Sequence, residues 1–502
     1  MEVPSSRLSV LVPADGPERS VRADGDYVVY WMLAQRRTRY NFGLQHAAMR
    51  ARELGKPLLV VEALSCSYRW AGDRHHAFAI EGMRANQAAL AEQGVAYFPY
   101  VEPAPDEGKG LHGALAARAC LYVTDHWPCF HMPKWAALVA EEIDVPMETV
   151  DSCGILPVRS AQKAFARAHD FRRHVHRTAF ESLQAVPLEE PLELLAEDSS
   201  HSAGKLLPSA VEDRWPATDL GAVDLGALPI DHDVAPVASS PGGQDEARKV
   251  LARFIDSRLE NYLSRNQPEA EAASGLSPWL HWGHISPHEV LLAVADKEGW
   301  DPSAIEGQKA TGKREGWWGM SAPAEGFMDE LVTWREVCFN TCQERPKDYG
   351  KYDALPEFAK KTLEEHAKDR RPSVYSLEEF ESASTHDPLW NAAQNQLRRE
   401  GIIHNYLRML WGKKILHWTE SPREAHRIMV ELNNKYCLDG RDPNSWGGIM
   451  WVLGRYDRAW GPEREIFGKV RYMTSDNTAR KVRVKNYVAE YSGNGQGSGS
   501  LF

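Results

Sequence analysis

The chain has 502 residues, of which 43% are hydrophobic and 26% charged, with a formal net charge of −11. That length exceeds one ordinary core, so two or three domains are expected, and no apolar run reaches the ~18–20 residues of a membrane span. Seven scattered cysteines, an odd number, argue against a disulfide scaffold and for a reduced, cytoplasmic setting, nucleoid-associated if the source is bacterial.

The opening MEVPSSRLSV lacks a charged segment followed by an apolar core, so no secretory leader is expected. Residues 1–26 read as an N-terminal extension. Residues 27–182 alternate strand-length apolar runs with helical patterns. DYVVYWM is the first strand, and a helix over QRRTRYNFGLQHAAMRARELG follows, stopped at Gly55. PLLVVEAL, VAYFPYVE, CLYVTDH and VPMETVD are further strands, with helices between them. This alternation predicts a doubly wound parallel sheet, which binds ligands at the carboxyl ends of its strands. There is no GxGxxG and no GxxxxGK[ST], which argues against a dinucleotide dehydrogenase or a P-loop NTPase.

Residues 157–182 form a basic, helical connector rich in Arg and His (AFARAHDFRRHVHRTAF). From 183 to 244 the composition shifts to Pro, Ser, Gly, Ala and acids, which reads as an interdomain linker with little regular structure. Helical patterning dominates 245–491, beginning with one continuous helix over DEARKVLARFIDSRLENYLSR. The tail, 492–502, reads as disordered. Cys338 and Cys342 are the only close cysteine pair, and their spacing suits helix neighbours better than a zinc site. From Arg398 to Tyr487 there are 18 Lys and Arg against 10 Asp and Glu, so a basic face on an acidic body can meet a polyanion.

The most informative stretch is Thr385–Met473. Tryptophans recur at Trp390, Trp411, Trp418, Trp446, Trp451 and Trp460, and amides at Asn391, Asn405, Asn433, Asn434 and Asn444. Asp439 and Asp442 share a DGRD turn. Indole is large and its N–H needs a partner, so this mixture points to a flat, aromatic, charged ligand. Each feature has a plainer reading. SGLS before Pro278 can be a helix cap, Asn405 with Arg408 a solvated helix pair, and the tryptophans ordinary core.

Motif wording decides among these. GLSPWLHWGHIS, THDPLWNAAQ, HNYLRMLWGKKILHW, LDGRDPN and DRAWGPEREIFGKVRYM resemble the class II cyclobutane pyrimidine dimer photolyases of the photolyase/cryptochrome superfamily. VVYWM and VDSCGILPV in the first half resemble the family too. YNFGL stands where the family has DNWAL, and TDHWPCFHMPKW is a divergent counterpart. The resemblance implies an α/β antenna-type domain followed by an all-helical domain holding FAD, working as FADH⁻. Light would drive an electron from the flavin to a dimer extruded from DNA, splitting its cyclobutane ring.

By the same resemblance, Tyr262, Ser274, Gly275, Leu276, Ser277, Asn391, Asn405, Arg408, Asn433, Asp439 and Asp442 hold the cofactor, with Asn433 facing flavin N5. Arg265 looks like the family's arginine before the SGLS loop. Glu330 hydrogen-bonds the dimer, and Trp334 and Trp451 stack on it. Trp390, Trp411 and Trp418 carry electrons to oxidised flavin. Arg458, Arg471 and Lys469 contact DNA, and Arg480, Lys481, Arg483 and Lys485 add phosphate-facing charge or a solvated basic face. A second, antenna chromophore of deazaflavin or folate type belongs to the first half. The expected partner is DNA bearing cyclobutane dimers, with no membrane, no obligate protein partner and a monomeric chain. The alternatives are a cryptochrome-like blue-light sensor, a (6-4) photoproduct enzyme and a catalytically silent DNA-binding flavoprotein. The presence of Glu330, Trp334 and Trp451, and no long segment after Tyr491, argue against the sensor.

Overall fold

The computed structural model describes residues 2–13, 16, 19–195 and 203–493. Its first half is built on six strands: β1 (Leu8–Leu11), β2 (Tyr27–Trp31), β3 (Leu58–Leu64), β4 (Ala96–Val101), β5 (Ala119–Asp125) and β6 (Met147–Val150). The spatial order is β1-β6-β5-β2-β3-β4. All neighbours are parallel except β1, which pairs antiparallel with β6. β2 to β5 are buried nearly throughout, as expected of strands covered on both faces by helices.

The residues read as an N-terminal extension therefore supply an edge strand. Arg7 anchors it by donating to the carbonyls of Asp151, Gly154 and Ile155. A short strand of mixed polarity carries too little period-2 signal to be legible beforehand. The helix expected from Gln35 begins instead at Phe42, because Asn41 accepts from Gly43 N and Leu44 N as its cap. Residues before it are a loop, held where Asp125 accepts from Ala34 N and Gln35 N.

The linker carries short helical turns at Pro191–Leu194, Ser209–Arg214 and Leu225–Ala227, and it pairs with the α/β domain where Gly72 bridges Asp231. The helix expected from Asp245 runs straight only over Gln244–Arg253, then widens to a π-turn at Phe254–Arg258 and tightens to a 3₁₀ turn at Leu259–Ser264. Ser257 Oγ donates back to Arg253 O at 2.7 Å, which competes with regular α-helical bonding there. A second π-turn, Asp329–Trp334, interrupts Ala322–Glu344. Cys338 and Cys342 lie in Arg335–Glu344, and all seven cysteines are free and buried. Among the described residues no helix is long and apolar enough to cross a membrane, and no cluster of three His, Cys, Asp or Glu could hold a metal. Most of the disordered-tail expectation, residues 494–502, lies outside the described residues.

The two halves meet at backbone carbonyls. Helix Asp73–Glu92 of the α/β domain projects Arg74, whose guanidinium donates to Leu397 O, Arg398 O, Tyr436 O and Ala235 O. Three of these carbonyls sit at the C-terminal ends of helices Pro388–Glu400 and Pro422–Tyr436. Those ends carry unsatisfied carbonyls and partial negative charge, so one buried cation stabilises both. Arg74→Met leaves them without that partner and is expected to lower stability by on the order of 3 kcal/mol. Thermal melting checks this, and a melting temperature matching the parent would show that the contact carries no weight.

Candidate functional site

The site is assembled around helix Asn405–His417 and the turn that follows helix Pro422–Tyr436. Arg408 Nη2 donates to both carboxylate oxygens of Asp439, at 3.2 and 3.3 Å. Burial pulls the Arg408 guanidinium's pKa down, but the Asp439 carboxylate more than offsets it and the net shift is upward. Asp442 caps helix Pro443–Val452 by accepting from Ser445 N at 2.8 Å. Burial, with Asp439 nearby, raises its pKa to about 6. Between them Arg441 adopts φ +71, a region costly for a side-chain-bearing residue. Asn434 Oδ1 holds it there by accepting Arg441 N at 2.9 Å.

Asn433 and Asn434 have different neighbours. Asn433 Nδ2 donates to Asn434 Oδ1 and Ser445 Oγ, and its Oδ1 accepts from Cys437 Sγ. Two buried donors here find no protein partner: Asn434 Nδ2 and Arg408 Nε. Buried polar atoms normally do find one. Such a donor set beside an Arg–Asp pair fits a flat ring with amide edges, which is what the flavin implied by the motifs presents. Asn405 is exposed on the first turn of its helix. Asn391 is set apart, since its side chain accepts from Thr385 N and Oγ1 and donates to Thr385 O. The Ser274–Ser277 loop has Gly275 at φ +75 and opens a helix of only five residues, Ser277–His281.

The three expected electron-carrying tryptophans lie together and almost wholly buried. Trp390 Nε1 donates to Trp411 O at 3.0 Å, and Trp411 Nε1 to Gln394 Oε1 at 2.9 Å. The Trp390 and Trp418 rings are 6.2 Å apart. Trp418 lies against Lys414, His386 and Tyr375.

The expected lesion-contacting residues form a separate, half-buried group. Arg265 Nη2 donates to Glu330 Oε1 at 3.0 Å and sits over the Tyr262 ring. Burial holds the Glu330 carboxyl above the usual carboxylate range, although Arg265 pulls the other way. Glu330 and Trp334 are four apart across the π-turn Asp329–Trp334, so they lie near one face. Trp451 has Lys413 5.5 Å from its ring on one side and Arg471 at 5.3 Å. Arg471 and Arg458 also flank Trp460, at 4.4 and 4.8 Å. Lys469 is exposed, and its backbone carbonyl accepts from Trp460 N.

Sequence reasoning missed two organisers of this group. Asp457 accepts from Trp460 Nε1, Arg458 N and Arg471 Nε, so one carboxylate fixes the Arg471 guanidinium, the Trp460 indole and the backbone at Arg458. Lys413 is fully buried and donates to Val452 O. Burial lowers its pKa to about 7, against the pull of Asp457. The only hint was a lysine pair, Lys413–Lys414, inside an otherwise apolar helix.

A further cleft, of about 580 Å³ counting the part open to solvent, lies at the carboxyl ends of β2, β3 and β5. That is where the strand order reverses, the usual ligand position in such sheets. Aromatic residues Tyr68, Trp127, Phe130, Trp135 and Trp282 line it. Among the lining residues His131 Nδ1 is buried without a partner, His281 Nδ1 lies 4.0 Å from Asp442 Oδ2, and the Tyr68 hydroxyl faces the Arg441 guanidinium.

A scan against protein-family models finds no match. The chain is 35% identical over 483 residues to a deoxyribodipyrimidine photo-lyase of Methanothermobacter thermautotrophicus, covering 95% of this chain and 97% of that one. It is 32% identical over 476 residues to a deoxyribodipyrimidine photo-lyase of Potorous tridactylus, covering 92% and 81%. Its fold is similar to a bacterial class III photolyase from Agrobacterium tumefaciens, with a TM-score of 0.66 at 19% identity over 95% of this chain and 87% of that one.

Lys413 gives the site a pH signature. Its pKa is depressed on folding, so the unfolded chain binds the extra proton between about pH 7 and pH 10, and stability rises with pH across that window. Lys413→Met removes the titration. The variant is expected to melt above the parent at pH 6, with the gap closing by pH 10. A constant gap in melting temperature would contradict this.

Proposed function

The chain belongs to the deoxyribodipyrimidine photo-lyase family of the photolyase/cryptochrome superfamily, its activity is light-driven DNA repair, and we propose which of its residues carry that reaction on cyclobutane pyrimidine dimers. The observation that supports this most directly is what one helix carries. Asn405–His417 pairs Arg408 with Asp439, sets Trp411 against Trp390, and puts Lys413 under Trp451. A cofactor, its supply of electrons and a platform for an extruded base thus share one rigid element.

FAD is the family's cofactor, and in reduced form it supplies the photoexcited electron. Arg408, Asp439, Asp442, Asn433 and Asn434 would hold its ring, with Tyr262, Asn405 and the Ser274–Ser277 loop toward its remaining groups. The buried surroundings keep water out, which suits short-range electron transfer. Trp334 and Trp451 stack on the extruded dimer, worth ~1–3 kcal/mol per base. Glu330, held by Arg265 and with its pKa shifted upward by burial, is placed to hydrogen-bond a dimer carbonyl as negative charge develops there. Arg458, Arg471 and Lys469 meet the strand around the lesion. Trp418, Trp390 and Trp411 would form the path by which electrons reach the bound cofactor.

We propose that the cleft at the strand ends, with its aromatic walls, is where a flat heteroaromatic antenna of deazaflavin or folate type would bind. We further propose a cytoplasmic monomer, since one lesion needs no symmetric partner. A stable dimer in sedimentation would contradict that.

Repair is tested on photoreduced protein with a thymine-dimer oligonucleotide under blue light, against a dark control, reading the return of thymine absorbance. Recovery in light alone is expected. Glu330→Ala should lower the yield about tenfold, the effect of one hydrogen bond of ~1.5 kcal/mol, and Glu330→Gln less, because an amide still donates. Trp451→Ala should weaken lesion binding about tenfold or more. Fully reduced protein that binds the dimer without repairing it would leave the silent-binder reading standing.

Trp418→Phe separates the electron supply from the chemistry. Photoreduction of the oxidised cofactor should slow sharply, while protein reduced beforehand by dithionite repairs at the parent rate. Equal loss of both would remove Trp418 from the electron path.

A further inference from the structure

We propose that the basic connector between the two halves, with the 309–316 loop packed on it, is a second DNA-contacting surface that holds the phosphates of the duplex flanking the lesion. This rests on the DNA-repair reading above.

Residues 158–178 contain six Lys and Arg against a single acid, Asp170. Arg172 is buried and committed, pairing with Asp329 at 2.6 Å. Lys163, Arg167, Arg173 and Arg177 are all exposed. None of these four has a carboxylate partner among the described residues, and Asp170 faces His169. Arg173 and Arg177 are one helical turn apart on Ala168–Leu183 and share a face. Across from them Lys313 is likewise exposed and unpaired, and Arg314 is exposed with an ion pair to Asp329. The loop lies close to the helix: a Cβ added at Gly312 would meet Arg173 Cγ at 2.5 Å and His169 Nε2 at 3.0 Å.

Position turns this patch from a solvated face into an extension of the site. Arg167 forms a parallel bridge with Tyr456, the residue before Asp457 and two before Arg458. Arg172 and Arg314 converge on Asp329, the neighbour of Glu330. The connector therefore abuts two of the segments that carry the proposed lesion-contacting residues, those of Glu330 and Arg458. The Arg458–Arg471 rim borders the proposed lesion pocket. A strand whose dimer enters that pocket must leave on either side. Unpaired cations continuous with the pocket suit a phosphate backbone, whose recognition is by charge and free of sequence.

The test uses full-length protein carrying Lys163→Ala, Arg167→Ala, Arg173→Ala and Arg177→Ala together, with cofactor content and melting temperature compared to the parent. Binding is measured in the dark as a function of KCl, for a ~20 base-pair duplex with a central thymine dimer and for a ~5-nucleotide strand spanning only the dimer. Each lost phosphate contact makes the salt slope shallower by about 0.9, so a change of about two to four is expected for the long duplex. Its affinity should fall about 10- to 100-fold near 0.1 M salt. Binding of the short strand, and repair at saturating DNA, should stay at the parent level. An unchanged slope and affinity for the long duplex would overturn the proposal, leaving the patch as a solvated face. Equal loss for both substrates would overturn it too, because the residues would then be supporting the pocket. The parent's repair of the short strand is measured separately and bears only on the repair reading.

Discussion

Three consecutive carbonyls, of Tyr436, Cys437 and Leu438, hold this structure's function in place. Each has its own partner from outside the helix it ends: Arg74 Nη1 at 2.8 Å, His75 Nε2 at 3.1 Å and Trp282 Nε1 at 2.9 Å. Backbone carbonyls buried without partners are expensive, so this turn has one comfortable position against the α/β domain. Asn433 and Asn434 precede it, and Asp439, Arg441 and Asp442 follow. The docking of two domains thereby fixes a site that lies within only one of them. The strained backbone at Arg441 persists for the same reason: the surroundings over-determine it.

Electrostatics divide the helical domain into two environments. Beside the turn, Arg408 and Asp439 neutralise one another in a mostly buried setting, and the tryptophan trio adds bulk without charge. Such a setting stabilises a bound charged ring, with Asp442 beside it as a carboxyl whose pKa burial raises to about 6. The proposed lesion pocket differs, since burial shifts the Glu330 carboxyl upward and the Lys413 ammonium downward. Both shifts follow from burial, which disfavours the charged form of each group. A half-buried floor carrying Trp334 and Trp451, ringed by Arg458 and Arg471, suits extruded bases at its centre and phosphates at its edge.

Much of the fold was legible because its signals are long. β2 to β6 and their helices alternate with little interruption, and the motifs from Gly275 to Met473 are extended enough to name a family. What stayed hidden was short or relational. Leu8–Leu11 is a strand only because β6 offers an edge. The π-turns at Phe254–Arg258 and Asp329–Trp334 leave helical periodicity intact while altering the turn. Asn391 carries a family-like context yet spends its side chain on Thr385. Asp457 and Lys413 sit in ordinary wording, and their importance comes from what folds onto them: two arginines and an indole on the first, and Trp451 over the second.

Arg441 ties the two proposed chromophore sites together. Its backbone N–H is held by Asn434 at the cofactor turn, and its guanidinium lies 5.3 Å from the Trp282 ring and lines the aromatic cleft of the α/β domain. Trp282 in turn donates to Leu438 O at the base of the same turn. A molecule in the cleft and a ring beside Asp439 would therefore be positioned by one strained residue and one indole. Energy transfer between chromophores depends on fixed distance and orientation, and here both would be set by the same carbonyl-anchored turn. The divergent TDHWPCFHMPKW segment falls on the cleft side of this arrangement, where Trp127, Phe130 and Trp135 supply the walls, whereas none of the YNFGL residues lines the cleft. Divergence there changes what the cleft can hold, while the cofactor turn keeps its geometry through Arg74, His75 and Trp282.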